Sequence, residues 1–256
     1  MQISAVIITF NEERNIGRCL DSLTGVADEI IVVDSFSTDR TAQICLEKGA
    51  RFIQHPFAGH IEQKNFALTQ ARFPHVLSLD ADEALSDTLR QSILAVKAGW
   101  RCDAYSMNRL TNYCGQWIRH SGWYPDRKVR LFDRRRGHWG GLNPHDKVEM
   151  DIDATLGFLA GDLLHYSYYS EEEHDARARK YAVIAARAML ARGKRGSWLR
   201  VAVSPAFKFV RNYLLRLGFL DGQAGWTICR MAARETYWKY RHLIQLEKAQ
   251  NTGQRQ

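Results

Sequence analysis

Residues 76–83 read VLSLDADE, a short apolar run that ends on two carboxylates with a third beside them. Such a run, bounded by polar residues, is typical of a buried β-strand. Open α/β sheets present their ligands at the carboxyl ends of strands, where carboxylate oxygens suit a hard divalent cation. The stretch therefore predicts a strand followed by a metal site for a phosphate-bearing substrate. A polar turn before a helix that begins at Asp87 is the alternative.

Outward from this stretch, the first hundred residues alternate between strand and helix patterns. Strands are predicted at 5–9, 29–33, 51–54 and 76–79, and helices at 15–23, 38–48, 62–71 and 87–95. Strands that alternate with helices are joined by right-handed crossovers in a parallel sheet. We therefore predict an α/β fold in which residues 1–100 form a nucleotide-binding half.

The pattern changes twice after residue 100. Residues 101–170 are rich in Trp, Tyr, His, Arg and Gly, and they predict mixed sheet and loops with strands at 104–109, 128–132 and 156–159. Residues 171–256 predict a helical extension with helices at 171–192, 198–217 and 222–246. The sequence thus divides at residues 100 and 170.

Composition restricts the classes of protein that remain. The chain has 256 residues, is 45% hydrophobic and contains five cysteines without a C-x-x-C pair. This content argues against a disordered chain, a disulfide framework and a zinc site. The first ten residues lack the basic start of a signal peptide, and no apolar run reaches the roughly 18 residues of a membrane span. We expect a cytoplasmic protein.

The basic charge is concentrated in the helical extension. Residues 171–256 hold 17 Lys and Arg against 7 Asp and Glu, whereas residues 1–170 hold 19 against 21. Such asymmetry favours an anionic partner for the extension, either nucleic acid or an acidic membrane surface.

Polar side chains also follow the first two predicted strands. Thr9, Asn11 and Glu13 follow the first and Asp34 follows the second, so they are expected at the same sheet edge as Asp80. There they can bind a base and a ribose. The sequence has neither G-x-G-x-x-G after the first strand nor a P-loop, which argues against a dinucleotide-binding Rossmann site and a P-loop NTPase.

These segments together carry a family resemblance. They are TFNEE at 9–13, VVDSFSTDRT at 32–41, QKN at 63–65, DADE at 80–83, GWYPDR at 122–127, RLF at 130–132, PHDKVE at 144–149, LHY at 164–166 and GFLDG at 218–222. The set resembles the family-2 glycosyltransferases of the GT-A fold. It is similar to the lipopolysaccharide-core β-glycosyltransferases among them, notably the inner-core β-1,4-glucosyltransferase type.

The resemblance implies an inverting transfer of a sugar from a nucleoside diphosphate donor, with UDP-glucose the family-level donor. The implied acceptor is a hydroxyl of a lipid-linked lipopolysaccharide-core saccharide, and residues 101–170 become the acceptor side. The implied cofactor is Mn²⁺ or Mg²⁺. Asp82 would bind this cation with His165, and Asp80 would contact the ribose or a metal-bound water. A structural histidine at a strand end is the alternative for His165.

Two further roles complete the predicted site. An inverting displacement needs a base for the acceptor proton, and Asp146 is the candidate, with Asp126 and Glu149 as rivals. Many relatives have a His-Glu pair where this chain has His-Asp. Lys64 is a candidate for the donor phosphates, because cationic side chains bind phosphate oxygens.

Residues 198–217 predict a basic amphipathic helix. Arg200, Lys208, Arg211 and Arg216 fall on one arc, and an apolar arc lies opposite, formed by Leu199, Val203, Phe207, Val210, Tyr213, Leu214 and Leu217. Such a helix binds the interface of an anionic membrane, here the cytoplasmic face of the inner membrane. The alternative is an apolar arc packed on the catalytic domain.

Two other classes of protein share some of these features. A sugar nucleotidyltransferase has the same α/β unit and acidic pair, but residues 11–13 replace its glycine-rich basic loop. A nucleic-acid-binding protein would account for the basic extension, yet the slightly acidic first 170 residues show no recognised binding motif. We expect no nucleic-acid partner.

Overall fold

The computed structural model describes residues 1–142 and 145–253, and the chain divides into two units. The sheet unit comprises residues 1–110 and 125–166, and the helical unit comprises residues 111–124 and the chain from 167 onward. The predicted division at residues 100 and 170 stays a prediction. Pro144 of the PHDKVE segment lies outside the described residues.

The elements of the chain up to residue 168 are mostly strands. They are β1 Ile3–Thr9, α1 Ile16–Ser22, β2 Glu29–Asp34, α2 Thr41–Glu47, β3 Arg51–Gln54, α3 His60–Gln70, β4 His75–Asp80, β5 Glu83–Leu85, α4 Asp87–Ala98, β6 Ala104–Tyr113, β7 Gln116–Ile118, β8 Asp126–Asp133, β9 Gly137–Leu142, β10 His145–Met150 and β11 Leu156–Tyr168. The predicted α/β fold is confirmed.

The main sheet has the strand order β3-β2-β1-β4-β8-β6-β11-β5. Strands β3, β2, β1 and β4 are parallel, as the βα alternation predicts, whereas β8 is antiparallel to both β4 and β6. Strand β5 is antiparallel to β11, and β9 and β10 form a separate hairpin. The sheet is therefore parallel at the strands that carry the first predicted loops, and its antiparallel pairs join β8 to β4 and to β6, and β5 to β11.

Alternate residues of the central strands pack on opposite faces of the sheet. Ile7 and Leu79 join the apolar cluster that includes Leu89 of α4, while Val6 joins the cluster that includes Phe132. This period of two fixes which side chains enter the core. The ends of β1, β2 and β4 are thereby held in a fixed register.

The helical unit contains three long helices. They are α5 Glu171–Ala191, α6 Trp198–Val210 and α7 Gly222–Gly253, and a π-helical turn Arg211–Leu215 and a 3₁₀ turn Gly218–Asp221 lie between α6 and α7. Both α5 and α6 pack on α7. Small residues at Ala178, Ala182 and Ala186 form the buried stripe of α5 and allow close approach. The predicted helical extension is confirmed.

Asp221 ties the 111–124 segment to the start of α7. Its carboxylate accepts hydrogen bonds from the backbone N–H groups of Arg119 (3.1 Å) and His120 (2.9 Å) and from the Ser121 hydroxyl (3.3 Å). A buried carboxylate with several donors fixes the local backbone. The GFLDG segment at 218–222 thus has a structural role. No described helix combines the length and apolarity needed to cross a bilayer.

Candidate active site

Three polar side chains lie at the carboxyl ends of neighbouring parallel strands. In the strand register Thr9 of β1 pairs with Asp34 of β2, and Ile8 pairs with Asp80 of β4. The predicted convergence of these loops is therefore present in the fold. The Thr9 hydroxyl oxygen is buried and has no hydrogen-bond partner among the described residues. An unsatisfied buried hydroxyl at a strand end is a group for a ligand to bind.

The loops after β1 and β2 are joined by their own polar groups. The Asn11 side-chain oxygen accepts from the backbone N–H of Thr38 (2.8 Å), and the Ser37 hydroxyl accepts from the backbone N–H of Asn11 (2.8 Å). Glu13 accepts from the backbone N–H of Arg40 (3.1 Å). Asn11 and Glu13 thus hold the second loop against the first.

Asp34 is wholly buried at the end of β2. One carboxylate oxygen accepts from the Ser37 backbone N–H at 2.8 Å, and the other accepts from the Ser37 hydroxyl. Local bonds from a side chain to the backbone three residues on fix the conformation of the loop directly after the strand. Asp34 therefore sets the shape of the loop between β2 and α2.

Asp80 lies between two cations. Lys64 Nζ of α3 is 2.8 Å from one carboxylate oxygen, and Arg130 Nη2 of β8 is 3.1 Å from the other. Burial by itself raises the pKa of the Asp80 carboxyl, but the charges of Lys64 and Arg130 outweigh it and hold that pKa well below its usual range. Asp80 is therefore ionised across the physiological pH range.

Glu83, the third carboxylate of the segment, is wholly buried and paired with arginine. Arg130 Nε and Nη2 reach the two Glu83 oxygens at 3.1 and 2.8 Å, and the backbone N–H of Asp80 donates to Glu83 at 3.0 Å. Burial would lower the pKa of Arg130, but Glu83 and Asp80 raise it above its usual value. This paired geometry fixes the turn between β4 and β5.

Asp82 and His165 come together, as the resemblance implies. His165 Nε2 is 3.3 Å from an Asp82 carboxylate oxygen, and both side chains are largely buried. The pairing of β5 with β11 sets this contact, because His165 lies opposite Glu83 in the register. The backbone N–H of Tyr166 also donates to the Asp82 carbonyl at 2.9 Å. His165 thus lies inside a long strand that brings it back to the acidic segment.

Asp146 of β10 joins the same charged cluster through Lys64. Lys64 Nζ is 2.7 Å from Asp146 Oδ2 and also 4.2 Å from the centroid of the buried Trp139 ring. The ammonium group therefore bridges Asp80 and Asp146, two residues that the chain separates widely. Lys64 is almost fully buried in this position.

The two rivals of Asp146 have other partners. Asp126 accepts from Arg109 Nε and Nη2 at 3.0 and 2.8 Å and contacts Lys128 at 3.0 Å. Glu149 is partly exposed and pairs with Lys147 at 3.1 Å on its own strand. Asp126 thus belongs to the arginine network, and Glu149 makes a surface pair.

The sequence does not reveal the network that holds these groups together. Glu83 and Arg130 lie in segments that carry the family resemblance, but the sequence does not show that Glu83 pairs with Arg130 and Arg109. Arg109 Nη1 is 3.5 Å from Glu83, so a chain of ion pairs runs from Asp126 to Asp146. The available signal is the high density of charge in strand β8, together with the single Arg109 of β6, because a charged side chain must be paired to be buried.

Comparison with known proteins identifies the family of this architecture. The sequence profile of the family described as Glycosyl transferase family 2 matches residues 4–149. This range includes Thr9, Asp34, the acidic segment and Asp146, which are the residues of the charged cluster and the strand ends. His165 lies beyond the match.

Two relatives cover most of the chain. A glycosyltransferase of Rickettsia typhi is 32% identical over 88% of this chain and 80% of its own length. The lipopolysaccharide core biosynthesis glycosyltransferase LpsC of Rhizobium meliloti is 30% identical over 94% of this chain and 93% of its own.

Solved structures with partial likeness include two enzymes. Staphylococcus aureus TarS 1–349 in complex with UDP has 16% identity and a TM-score of 0.45, with 99% of this chain and 92% of that chain covered. In the longer TarS structure, 40% of that chain is covered (TM-score 0.46). Glucosyl-3-phosphoglycerate synthase of Mycobacterium tuberculosis has 23% identity and a TM-score of 0.37, with 43% and 44% covered.

The family profile matches more than half of the chain, and the two relatives span nearly all of it. Membership of this family replaces the nucleotidyltransferase and nucleic-acid-binding alternatives. The chain therefore belongs to glycosyl transferase family 2 and is a glycosyltransferase.

Proposed function

We propose that this enzyme transfers glucose from UDP-glucose, with inversion, to a hydroxyl of a lipid-linked lipopolysaccharide-core saccharide. The supporting observation is the register that places Thr9, Asp34 and Asp80 side by side at the ends of β1, β2 and β4. A nucleotide binds at such an edge because loop donors and acceptors converge there. The acceptor class follows the printed name of LpsC, which spans nearly the same length as this chain.

The donor nucleotide would occupy the edge formed by Thr9 and the loops that Asn11, Glu13 and Asp34 hold in place. The Thr9 hydroxyl offers an unsatisfied hydrogen-bonding group. Asp80 is fixed as a carboxylate by Lys64 and Arg130, which suits it to accept from a ribose hydroxyl. The sequence predicts Lys64 as a donor-phosphate ligand; because Asp80 and Asp146 already engage its ammonium group, we propose that it acts on the donor by holding these two carboxylates.

Asp82 and His165 are the residues that would hold Mn²⁺ or Mg²⁺. A carboxylate oxygen and an imidazole nitrogen 3.3 Å apart fit a site completed by substrate phosphates and waters. Within the described residues no group of three or more His, Cys, Asp or Glu side chains forms a cage for a metal. Asp80 is committed to two cations, so it suits the ribose better than the metal. When bound, the ion would neutralise charge on the departing diphosphate.

Asp146 is the proposed base. In a single displacement the acceptor oxygen bonds to the anomeric carbon as the bond to UDP breaks, and the hydroxyl proton passes to the base. The Lys64 contact engages Asp146 Oδ2 and orients the carboxylate, and no described residue bonds to Oδ1. This arrangement leaves Oδ1 to accept the proton.

The proposed setting is the cytoplasmic face of the inner membrane, with the helical unit on anionic lipid. Six side chains of the predicted apolar arc are exposed, and they are Leu199, Val203, Phe207, Val210, Leu214 and Leu217. Trp198 and Trp226 are also exposed. An exposed apolar helix face beside basic residues is typical of interfacial membrane binding.

The reaction is tested by UDP release from a panel of UDP-sugars with purified lipopolysaccharide-core acceptor, with and without Mn²⁺. We expect turnover with UDP-glucose and metal, and a loss of about 100-fold or more in Asp82→Asn. Glu149→Gln is the matched control, because it removes a carboxylate that pairs only at the surface. Full activity in EDTA would contradict the proposed need for a metal ion. UDP release from a different UDP-sugar, and not from UDP-glucose, would contradict the proposed donor.

Membrane binding is tested by flotation with vesicles. We expect the enzyme to float with phosphatidylglycerol vesicles at low salt and to dissociate as salt rises. Phe207→Ser should reduce flotation, since it removes an exposed apolar side chain. Equal flotation with neutral and anionic vesicles would contradict the electrostatic part of the proposal.

A further inference from the structure

The helical unit contains a cavity of about 310 Å³, and none of its lining residues belongs to the candidate active site described above. Its wall comes from α6, the π turn, α7 and the segment at 121–123, and it includes Lys208, Arg216, Lys239, Glu235, Asn212 and Ser121. This volume lies at the lower end of the range of small-molecule sites. All of these residues belong to the helical unit.

Three cations and one carboxylate line the cavity. No carboxylate of the described chain lies within 4 Å of the charged nitrogens of Lys208, Arg216 or Lys239, although Glu235 shares the wall. Burial, and then Arg211 and Arg216, lower the pKa of Lys208, while burial raises that of Glu235. The cavity wall therefore carries three cations against one carboxylate, and none of the three cations forms a close ion pair with a described residue.

The polar wall is built by unusual backbone. The π turn at Arg211–Leu215 places Asn212 inward, and the Asn212 side-chain oxygen is buried without a hydrogen-bond partner among the described residues. Leu217 follows in the left-handed region with φ of 54°. Interrupted helices of this kind are frequent at binding sites. A buried unsatisfied oxygen and unpaired cations in one wall indicate a ligand site.

The geometry points to a second ligand site: we propose that this cavity binds a phosphate monoester carried on a hydroxyl-bearing group. Lys208, Arg216 and Lys239 bind the phosphate oxygens, since Lys and Arg are the side chains that pair with phosphate. Glu235 and the Asn212 oxygen accept hydrogen bonds from hydroxyl groups of the same ligand. The excess of positive charge favours an anionic ligand, and the two hydrogen-bond acceptors favour a ligand that also has hydroxyl groups.

Two sources can supply this chemistry, namely a phosphorylated saccharide and a phospholipid headgroup. The exposed Phe207 directly precedes Lys208 and the exposed Val210 follows two residues later, which would bring a headgroup to the cavity at a membrane surface. The site needs neither donor nor metal, so its occupancy is independent of the proposed transfer reaction.

Calorimetric titration of the whole chain with glucose 6-phosphate tests the saccharide source. Flotation with vesicles containing phosphatidylglycerol phosphate, whose headgroup has a phosphate monoester and a free hydroxyl, tests the lipid source. We expect saturable binding in one of the two arms. Arg216→Gln should weaken it at least tenfold, whereas Glu235→Gln should strengthen the binding of inorganic phosphate about threefold or more, because a repelling charge is removed. Variants that shift affinity in opposite directions separate a site from misfolding.

Arg200→Gln is the matched control, since Arg200 lies exposed on α6 and outside the cavity wall. It should bind like the wild type in the calorimetric arm. Binding in neither arm, or binding that Arg216→Gln leaves unchanged, would overturn the site. UDP release measured on the same preparations separates this result from failure of the proposed reaction, because a cavity without a ligand still leaves the donor edge intact.

Discussion

Two regions of this enzyme have basic side chains clustered around buried polar atoms. They differ in whether those side chains form ion pairs within the protein. In the sheet unit Lys64, Arg109 and Arg130 each contact carboxylates, so the cluster is satisfied within the protein. In the helical unit Lys208, Arg216 and Lys239 line a cavity without an ion pair. Ion pairs hold the side chains of the first cluster in position, whereas the cations of the second are available to bind an anion from outside the protein. Substitutions should therefore act differently in the two regions.

The largest effect is expected at Asp146. If its carboxylate is the base, Asp146→Asn should lower kcat by about 10² to 10⁴ and leave UDP-glucose binding unchanged, because the asparagine oxygen can keep the Lys64 contact but cannot take the proton. Steady-state kinetics and donor titration measure the two quantities. Glu149→Gln on the same strand is the control and should retain near-native kcat.

The opposite result would give Asp146 a different role. A large drop in the free energy of unfolding, with native turnover per folded molecule, would make Asp146 a structural partner of Lys64 and return the base to the acceptor-side carboxylates. In that case the whole sheet-unit cluster would be a scaffold.

The next effect concerns stability. Arg130→Met leaves the wholly buried Glu83 without its paired partner and should lower the free energy of unfolding by about 3–5 kcal/mol. Arg216→Gln in the cavity should change it by less than about 0.5 kcal/mol, since its guanidinium forms no ion pair. Urea unfolding of both variants measures the contrast.

The double variant Arg130→Met with Glu83→Leu checks the cause of this loss. Much of the stability should return, because the uncompensated charge has gone. Equal losses in Arg130→Met and Arg216→Gln would end the distinction between the two regions.

These contrasts show where prediction from the sequence succeeds. Strand β3 at 51–54 is predicted to the residue, and β1, β2 and β4 within two residues, because local hydrophobic periodicity determines them. The short strands β5 and β7 and the hairpin of β9 and β10 are missed. Strand β5 has three residues, and its partner Leu163 lies far along the chain, so no local pattern marks it.

The site shows the same limit. The convergence of Thr9, Asp34 and Asp80 follows from sheet topology alone, and the structure confirms this placement. The roles of Arg130 and Trp139 depend on long-range packing, and no local pattern shows that the Trp139 ring is buried next to the Lys64 ammonium group. The helix predicted at 198–217 ends as an α-helix at Val210, where a π turn moves Asn212 inward.

A smaller effect is the pH dependence of stability that we expect in the helical unit. His174 of α5 lies against Tyr113, and burial together with the Arg177 charge lowers the pKa of His174 to about 4. In the unfolded chain His174 binds a proton near pH 6.5, whereas in the folded chain it binds one only near pH 4. The stabilisation that depends on neutral His174 is therefore complete above pH 6.5 and is lost as pH falls toward 4. The change is on the order of 3 kcal/mol.

Thermal unfolding between pH 7 and 4 measures this dependence. His174→Gln should flatten it, because glutamine does not titrate. A matched slope in wild type and variant would assign the acid loss to other groups.

The smallest expected effect comes from a substitution that changes the shape of the cavity without changing its charge. Gly122 has φ of 79°, and a Cβ there would lie 2.1 Å from Arg216 Nη1. Gly122→Ala should therefore displace the guanidinium, cost about 1 kcal/mol of stability and weaken phosphate-ester binding several-fold without changing any charge. Gly115→Ala is the matched control: its φ is 91°, but nothing lies within 4 Å of the added Cβ. The control should lose similar stability and keep its affinity. If both alanines weaken binding equally, backbone strain explains the loss and the position of Arg216 does not.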